Sequence, residues 1–257
     1  MTVHVDERGS GPVLLCLHGI GSSGRAFAPQ LAGLGDRYRV VAWDAPGYDR
    51  SPDPEGAPGL AGYARAVADL VETLGAPVHL LGVSWGGVIA SRVALDHPRL
   101  LRSLILVDSS RGSGRDPRAA AAMRARAVEL AERGPDAFAI ARAPRLLSPA
   151  ADPALVERVR RTMAEAIRLP GYDYAAQSMA DTDLGPRLAE IAAPTLVLCG
   201  EQDVVTGPLE SRALADGIPG AAHVPIRYAG HLAHQERPEA VNAWVDGFLQ
   251  IVERLNP

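Results

Sequence analysis

A chain of 257 residues with 26 basic and 30 acidic side chains carries a net charge of −4, which gives no electrostatic case for nucleic acid or an anionic membrane as a partner. Every basic residue is arginine; without lysine there is no phosphate loop ending in Gly-Lys-Ser/Thr, no lysine Schiff base and no pyridoxal site. No apolar run approaches the ~20 residues of a membrane span, and Met1–Glu7 lacks the basic start and apolar stretch of a signal peptide, so a cytoplasmic protein of one large or two small domains is expected.

In chain order, Val3 to Glu7 turns through Arg8-Gly9-Ser10-Gly11-Pro12 into Val13 to Leu17, which reads as a β-hairpin. Arg39-Val40-Val41-Ala42-Trp43 is the next strand, and the loop Asp44-Ala45-Pro46-Gly47-Tyr48 follows it. Residues 59–74 place Val67, Leu70, Val71 and Leu74 at helical spacing and stop at Gly75-Ala76-Pro77. The apolar run Pro77–Leu81 then enters Gly82-Val83-Ser84-Trp85-Gly86, a helical pattern follows, and Leu101–Val107 is a further strand. Continuous apolar strands separated by helices indicate an α/β protein whose mostly parallel sheet is covered on both faces. Cys16 and Cys199 sit inside such runs and read as buried free thiols.

Between Asp108 and Ala193 the rhythm changes to helices, over residues 118–133, 135–142, 154–167 and 171–180, with proline and glycine breaks at Gly134-Pro135, Ala143-Pro144, Pro149, Pro153 and Pro170-Gly171. Strands resume at Pro194–Gly200 and at His223–Tyr228. Pro238–Leu255 closes the chain as a helix with Val241, Trp244, Val245, Phe248, Leu249 and Val252 on one face. The expected division is a core domain in two parts, residues 1–109 and 191–257, around a helical cap at residues 110–190.

The chemistry lies on three loops. Gly82-Val83-Ser84-Trp85-Gly86 is a G-x-S-x-G between a strand and a helix, the context of a nucleophile elbow, where small neighbours permit a backbone turn that lifts the serine hydroxyl above the sheet. Asp203 follows the strand ending at Gly200, and His231 follows the last strand in Ala229-Gly230-His231-Leu232. A serine hydroxyl needs a histidine to take its proton, and the histidine needs a carboxylate to fix its tautomer. The chain order Ser84, Asp203, His231 is the one a parallel sheet produces when all three stand on loops at the same edge. The turn His18-Gly19-Ile20-Gly21-Ser22-Ser23-Gly24 follows another strand, and the backbone amides of Ile20 and Trp85 are the candidate oxyanion donors. No His/Cys/Asp cluster has metal-ligand spacing.

These pieces resemble the α/β-hydrolase family over nearly the full chain: Leu17-His18-Gly19, Asp44-Ala45-Pro46-Gly47-Tyr48 with Ser51, Gly82-Val83-Ser84-Trp85-Gly86-Gly87, Gly200-Glu201-Gln202-Asp203, and Gly230-His231 followed by Glu236-Arg237-Pro238. The resemblance implies a mostly parallel eight-stranded sheet, a cap after the sixth strand, no cofactor, and Ser84, Asp203 and His231 as the catalytic triad. One departure is Asp49, where the family usually has glycine in Gly-x-Gly-x-Ser; an Asp49–Arg50 pair reads as a solvated surface pair.

Competing assignments are set by position. Asp108 also ends a strand, but Asp203 stands on the strand that precedes the histidine strand. His234 lies within a helical turn of His231, His223 starts a strand, His97 ends a helix, and His18 shapes its turn. Asp44 reads as a buried residue holding loops together. The arginines of the helical segment, Arg126 among them, read as a solvated helix face. Leu146, Leu147, Ile140, Phe138, Met163, Tyr172, Tyr174 and Met179 either line an apolar pocket or form the segment's own packing. The expected activity is hydrolysis of an ester, lactone or thioester of a small apolar molecule through a Ser84 acyl-enzyme. Carbon–carbon hydrolysis of a diketone is the nearest rival. Non-hydrolytic roles known on this fold, namely cofactor-free oxygenase, lyase, cyclisation or release enzyme and small-molecule receptor, stay open. Dehalogenase and epoxide-hydrolase chemistry is disfavoured, because that chemistry uses aspartate where Ser84 stands.

Overall fold

The computed structural model describes residues 3–75 and 77–255; Met1 and Thr2 of the leader reading, and Ala76 of the expected helix stop, lie outside them. Seven strands form one sheet: β1 (Val5–Arg8), β2 (Val13–Leu17), β3 (Arg39–Trp43), β4 (Val78–Val83), β5 (Leu101–Val107), β6 (Thr195–Gly200) and β7 (Ala222–Ile226). Their order is β1-β3-β2-β4-β5-β6-β7, parallel throughout except for β1 against β3. The eight strands implied by the family resemblance are therefore seven among the described residues, and the helical segment follows the fifth.

The expected hairpin does not form. Val5 pairs with Trp43 and Arg8 with Val40, so β3 lies between β1 and β2. Burial decides the pairing: β2 is buried along its whole length, whereas β1 is Val-Asp-Glu-Arg and partly exposed. A fully apolar strand needs a parallel neighbour on each side, and β3 and β4 supply them; the charged strand takes the solvated edge.

Alternate residues of the central strands feed opposite faces. Leu15, Leu17, Val41, Trp43, Leu80, Leu104 and Leu106 join one core cluster, and Leu14, Cys16, Val40, Ala42, Leu81 and Ile105 the other. Both cysteines are free and buried, and burial pushes their thiols far up from the usual range. Helix α1 (Ala28–Leu34) contributes Leu34 to the second cluster. Helix α2 (Gly59–Leu74) buries Leu60, Tyr63, Ala64, Val67, Ala68 and Val71, an i, i+3, i+4, i+7 stripe, and ends on Gly75 at φ 85°, the left-handed C-cap that glycine adopts without strain. Helix α3 (Trp85–Asp96) starts at the elbow.

The segment between β5 and β6 holds α4 (Pro117–Arg142), α5 (Pro153–Ala166) and α6 (Gly171–Ala180). Gly134, at φ 74° and ψ 164°, kinks α4 just before Pro135, where the sequence already places a break. Helix α4 packs on α5 and α6, and α6 on α2. Polar ties fasten this segment to the sheet: Arg168 donates to the carbonyls of Asp49 (2.9 Å) and Ser51 (2.6 Å), and the Trp85 indole donates to Ser178 Oγ at 3.0 Å.

After β6 come α7 (Gly207–Gly217), the short α8 (Ala233–Glu236) and α9 (Pro238–Leu255). Helix α9 buries Val241, Val245, Leu249 and Val252, while Trp244 sits on the flank of the stripe and is half exposed. No helix among the described residues is long and apolar enough to cross a membrane.

Candidate active site

Three parallel strands deliver three side chains to one edge of the sheet. Ser84 directly follows β4, the loop after β6 carries Asp203 and the loop after β7 carries His231, as expected for a parallel sheet, whose strand ends share one side. Ser84 has φ 52° and ψ −116°, a conformation that costs a non-glycine residue about 1–3 kcal/mol. Surrounding contacts hold it there. Its N–H donates to the Val107 carbonyl at 2.9 Å, and its carbonyl accepts from Ser109 Oγ at 2.8 Å and from the Gly87 and Val88 amides. Glycine is required at position 86, where a Cβ would lie 2.1 Å from the Leu17 carbonyl oxygen.

Ser84 Oγ lies 2.9 Å from His231 Nε2, and His231 Nδ1 lies 3.0 Å from Asp203 Oδ2. An ionised carboxylate only accepts, so the imidazole proton belongs on Nδ1 and leaves Nε2 free to accept from the serine hydroxyl. Asp203 is buried. Its second oxygen accepts from the Val205 amide at 2.7 Å, and Oδ2 also accepts from Thr206 Oγ1 at 2.6 Å. Burial alone would raise its pKa; the bond to His231 and its charge, then Thr206 and Val205, outweigh burial and hold Asp203 well below the usual carboxylate range. Thr206 was not singled out from sequence, although its place three residues after Asp203 is the spacing of a local side-chain turn.

Asp108 has another task. Its carboxylate accepts from the Gly200 amide at 2.7 Å and the Ala233 amide at 3.0 Å, joining β5, β6 and α8. Burial chiefly, and Asp203 next among the raising influences, push it up to about 7. Asp108, Cys199 and Asp203 bring ligand-type atoms within 4.8 Å of one another. The carboxylates are taken up by these amides, His231 and Thr206, and the thiol is held protonated by burial, so the donor set does not suit a metal.

The remaining histidines lie apart from this chain of bonds. His97 caps α3, and His223 Nε2 meets Ser211 Oγ at 3.2 Å. His18 Nε2 accepts from the Ala45 amide at 3.0 Å, so Nδ1 carries the proton and donates to the Gly19 carbonyl at 2.8 Å; burial lowers its pKa and keeps the ring neutral. Because the Ser22 amide also donates to Gly19 O, the Gly19–Ile20 peptide is clamped from its carbonyl side. Tyr48 Oη donates to Ile20 O at 2.8 Å and fixes the next peptide.

His234 is buried beside Phe27, ring centroids 5.3 Å apart, and burial first, then His231, push its pKa down to about 3. Between about pH 3 and 6.5 the unfolded chain therefore binds more protons at this position than the folded one, and stability rises with pH. Asp108 has the opposite sign: raised to about 7 from an unfolded value near 3.9, it makes stability fall as pH rises from about 4 to about 7. His234→Phe removes the first contribution and keeps the second. The unfolding free energy of H234F minus that of wild type should increase as pH falls from about 6.5 to about 4. Urea denaturation at the two pH values measures it, and a difference that does not change with pH would contradict the burial argument.

Asp49 adopts φ 40°, close to the left-handed conformation the family's glycine would take, and aspartate tolerates that region better than most residues. Its carboxylate is buried against Arg25 Nε at 2.8 Å, and Arg50 instead holds Asp44 at 2.7 Å and Asp6 at 2.6 Å. The expected Asp49–Arg50 pair is thus only a 4.0 Å contact. Asp44 is fully buried and also accepts from the Gly24 amide at 2.8 Å.

Above Ser84 lies a cavity of about 170 Å³. Gly19, Ile20, Ser84 and His231 form its base, and Phe138, Leu146, Met163 and Tyr172 of the helical segment line it. Leu147 and Met179 are internal packing, and Ile140 is exposed. Arg126, Arg142 and Arg145 also line the cavity, so Arg126 is not on a solvated face. The Trp85 side chain is buried against Ser178, and its amide begins α3.

Residues 14–244 match the model of the alpha/beta hydrolase family. Among solved structures, a thermophilic esterase from Thermogutta terrifontis superposes with a TM-score of 0.90 at 30% identity, covering 97% of this chain and 93% of that one. The enol-lactonase from Burkholderia xenovorans LB400 superposes with a TM-score of 0.86 at 27% identity, covering 96% of each. By sequence, 3-oxoadipate enol-lactonase 2 of Acinetobacter baylyi is 26% identical over 93% of this chain and 89% of its own. A family match across nearly the whole sheet, on a chain that carries its serine at a strand-to-helix turn, means that this protein belongs to the alpha/beta hydrolase family.

Proposed function

We propose that this hydrolase cleaves an ester, lactone or thioester of a small molecule through an acyl-enzyme on Ser84. The continuous hydrogen-bond chain from Ser84 Oγ through His231 to Asp203 carries the reading. Ser84 Oγ attacks the carbonyl carbon as His231 Nε2 takes its proton, and the carbonyl oxygen becomes the oxyanion. His231 then gives that proton to the departing alkoxide or thiolate, and the carbon–heteroatom bond breaks. A water molecule repeats the sequence on the acyl-enzyme, with its proton passing through His231 to Ser84 Oγ as the acid leaves. Asp203 holds the tautomer and stabilises the imidazolium.

The Ile20 and Trp85 amides are the proposed oxyanion donors. In the trans Gly19–Ile20 peptide the N–H points opposite to the carbonyl that His18 and Ser22 clamp, and the Trp85 amide heads a helix that leaves its first N–H groups without intrahelical acceptors. One such donor is worth ~3 kcal/mol in the transition state. Residues 110–190 act as the cap over the core formed by 1–109 and 191–257, and no cofactor takes part. The names of an esterase and two enol-lactonases among the relatives support an ester-type bond.

A fluorophosphonate probe tests the mechanism, followed by p-nitrophenyl esters of increasing chain length with lactone and thioester arms. A single adduct mapped to Ser84 by mass spectrometry is expected, with turnover in at least one arm. A folded protein whose Ser84 stays unlabelled would rule out the acyl-enzyme.

A further inference from the structure

The cavity over Ser84 is lined by three guanidinium groups, Arg126, Arg142 and Arg145, and by no aspartate or glutamate among the described residues. Neutralisation is sparse. Arg142 pairs with Glu129 at 2.7 Å, but Glu129 is shared with Arg133 at 2.8 Å. Arg126 has no carboxylate within ion-pair distance among the described residues; the nearby Tyr172 hydroxyl only partly offsets its burial. Arg142 Nε is buried with no hydrogen-bond partner, and its guanidinium stands 4.5 Å from the Phe138 ring centroid.

Holding like charges together in this way is costly. Burial lowers the pKa of Arg126, and Arg142 and Arg145 push it the same way by like-charge repulsion. Arginine stays protonated even so, so the cavity carries excess positive charge, with Arg126 and Arg142 partly buried and Arg145 at its exposed rim. Buried cations are ordinarily paired, and planar guanidinium forks match carboxylates in two-point contacts. Met163, Val159 and Leu146 supply apolar wall beside the arginines. The volume of about 170 Å³ is below the ~300 Å³ lower bound for drug-sized ligand sites, which suits a short chain.

We infer that the substrate carries a carboxylate on a short acyl chain, which Arg126, Arg142 and Arg145 bind while its ester or lactone carbonyl stands at Ser84. This rests on the serine-hydrolase reading and narrows its substrate class to half-esters of short dicarboxylic acids and the corresponding carboxylated lactones.

Mono-p-nitrophenyl glutarate, compared with its methyl-capped diester, tests the inference. In wild type kcat/KM should favour the free acid by roughly tenfold or more, the scale of one charge-assisted bond. That ratio should fall towards one in Arg126→Gln and Arg142→Gln and be partly kept in Arg126→Lys. Taking the ratio removes any general loss from imperfect folding. With wild type alone, raising salt should raise KM for the acid and not for the capped ester. A wild-type ratio at or below one, or a ratio unchanged in both glutamine variants, would overturn the inference even where fluorophosphonate labels Ser84. Should neither ester turn over and Ser84 stay unlabelled, the hydrolase reading fails by itself, and calorimetric titration with glutarate decides the anion site. Binding at least tenfold weaker in Arg126→Gln supports the site; no binding, or inorganic phosphate bound in preference to glutarate, overturns it.

Discussion

Alanine at position 84 is expected to lower kcat by about 10⁶-fold, the scale at which serine proteases lose rate when the nucleophile is removed. The size follows from what is lost. Ser84 Oγ is the atom that bonds the acyl carbon, and its hydrogen-bond partner is His231 Nε2. Among the described residues Ser84 Oγ is the only hydroxyl within hydrogen-bond distance of His231 Nε2. Structure should survive the change, because alanine is smaller and the elbow is held by backbone bonds from Ser84 N and O that alanine keeps. Substrate binding should therefore persist while turnover falls, with a thermal midpoint within a few degrees of wild type. Steady-state kinetics on the best ester, with fluorophosphonate labelling as control, reads the result. A loss below about tenfold would mean that an activated water attacks the carbonyl directly, without a covalent intermediate, and that the serine is dispensable.

How far such an arrangement could be read from the chain depends on whether the signal was local. Helix α2 was legible because Val67 and Val71 repeat at the helical period and Gly75 ends the pattern. The meeting of Ser84, Asp203 and His231 was legible because parallel strands put their following loops on one side, whatever lies between them. Pairing across the sheet was not. The glycine-rich turn after Arg8 looks like a hairpin, but partner choice was decided by which strand could be fully buried, a property of the whole sheet. Likewise Asp49 next to Arg50 suggested a pair, yet the partner is Arg25, brought in from a distant turn. The arginines misled for the same reason. Periodicity places Arg126 on a face of α4 but does not say that this face closes over a cavity, and the kink at Gly134 with the following turn brings Arg142 and Arg145 to the same lining. Helices α1 and α7 carry short, mixed patterns, Leu34 and Leu214 being among their few buried residues, and left no period to read.

Asparagine at position 203 should lower kcat by about 10⁴-fold while leaving the fold and the spacing of the side chains nearly intact. Asp203 accepts at both oxygens: Oδ1 from the Val205 amide, Oδ2 from His231 Nδ1 and Thr206 Oγ1. An asparagine that keeps its oxygen towards the Val205 amide turns its NH₂ group towards His231. Facing a donor, Nδ1 must become the acceptor, so the imidazole proton moves to Nε2. That nitrogen then meets Ser84 Oγ as a donor and cannot take its proton. Thr206 Oγ1, 2.6 Å from Oδ2 and 3.1 Å from the Asp108 carbonyl, can rotate its hydroxyl to bond Asp108 O, so the variant leaves no buried donor stranded. The wrong tautomer and the lost charge therefore fall on kcat rather than on stability or binding. Three readings together separate this from general damage: KM within a few fold of wild type, a thermal midpoint within a few degrees, and fluorophosphonate labelling of Ser84 slowed in parallel with kcat. If kcat fell less than about tenfold, Asp203 would be a structural acceptor for Thr206 and Val205, and the tautomer of His231 would have to be set by another group.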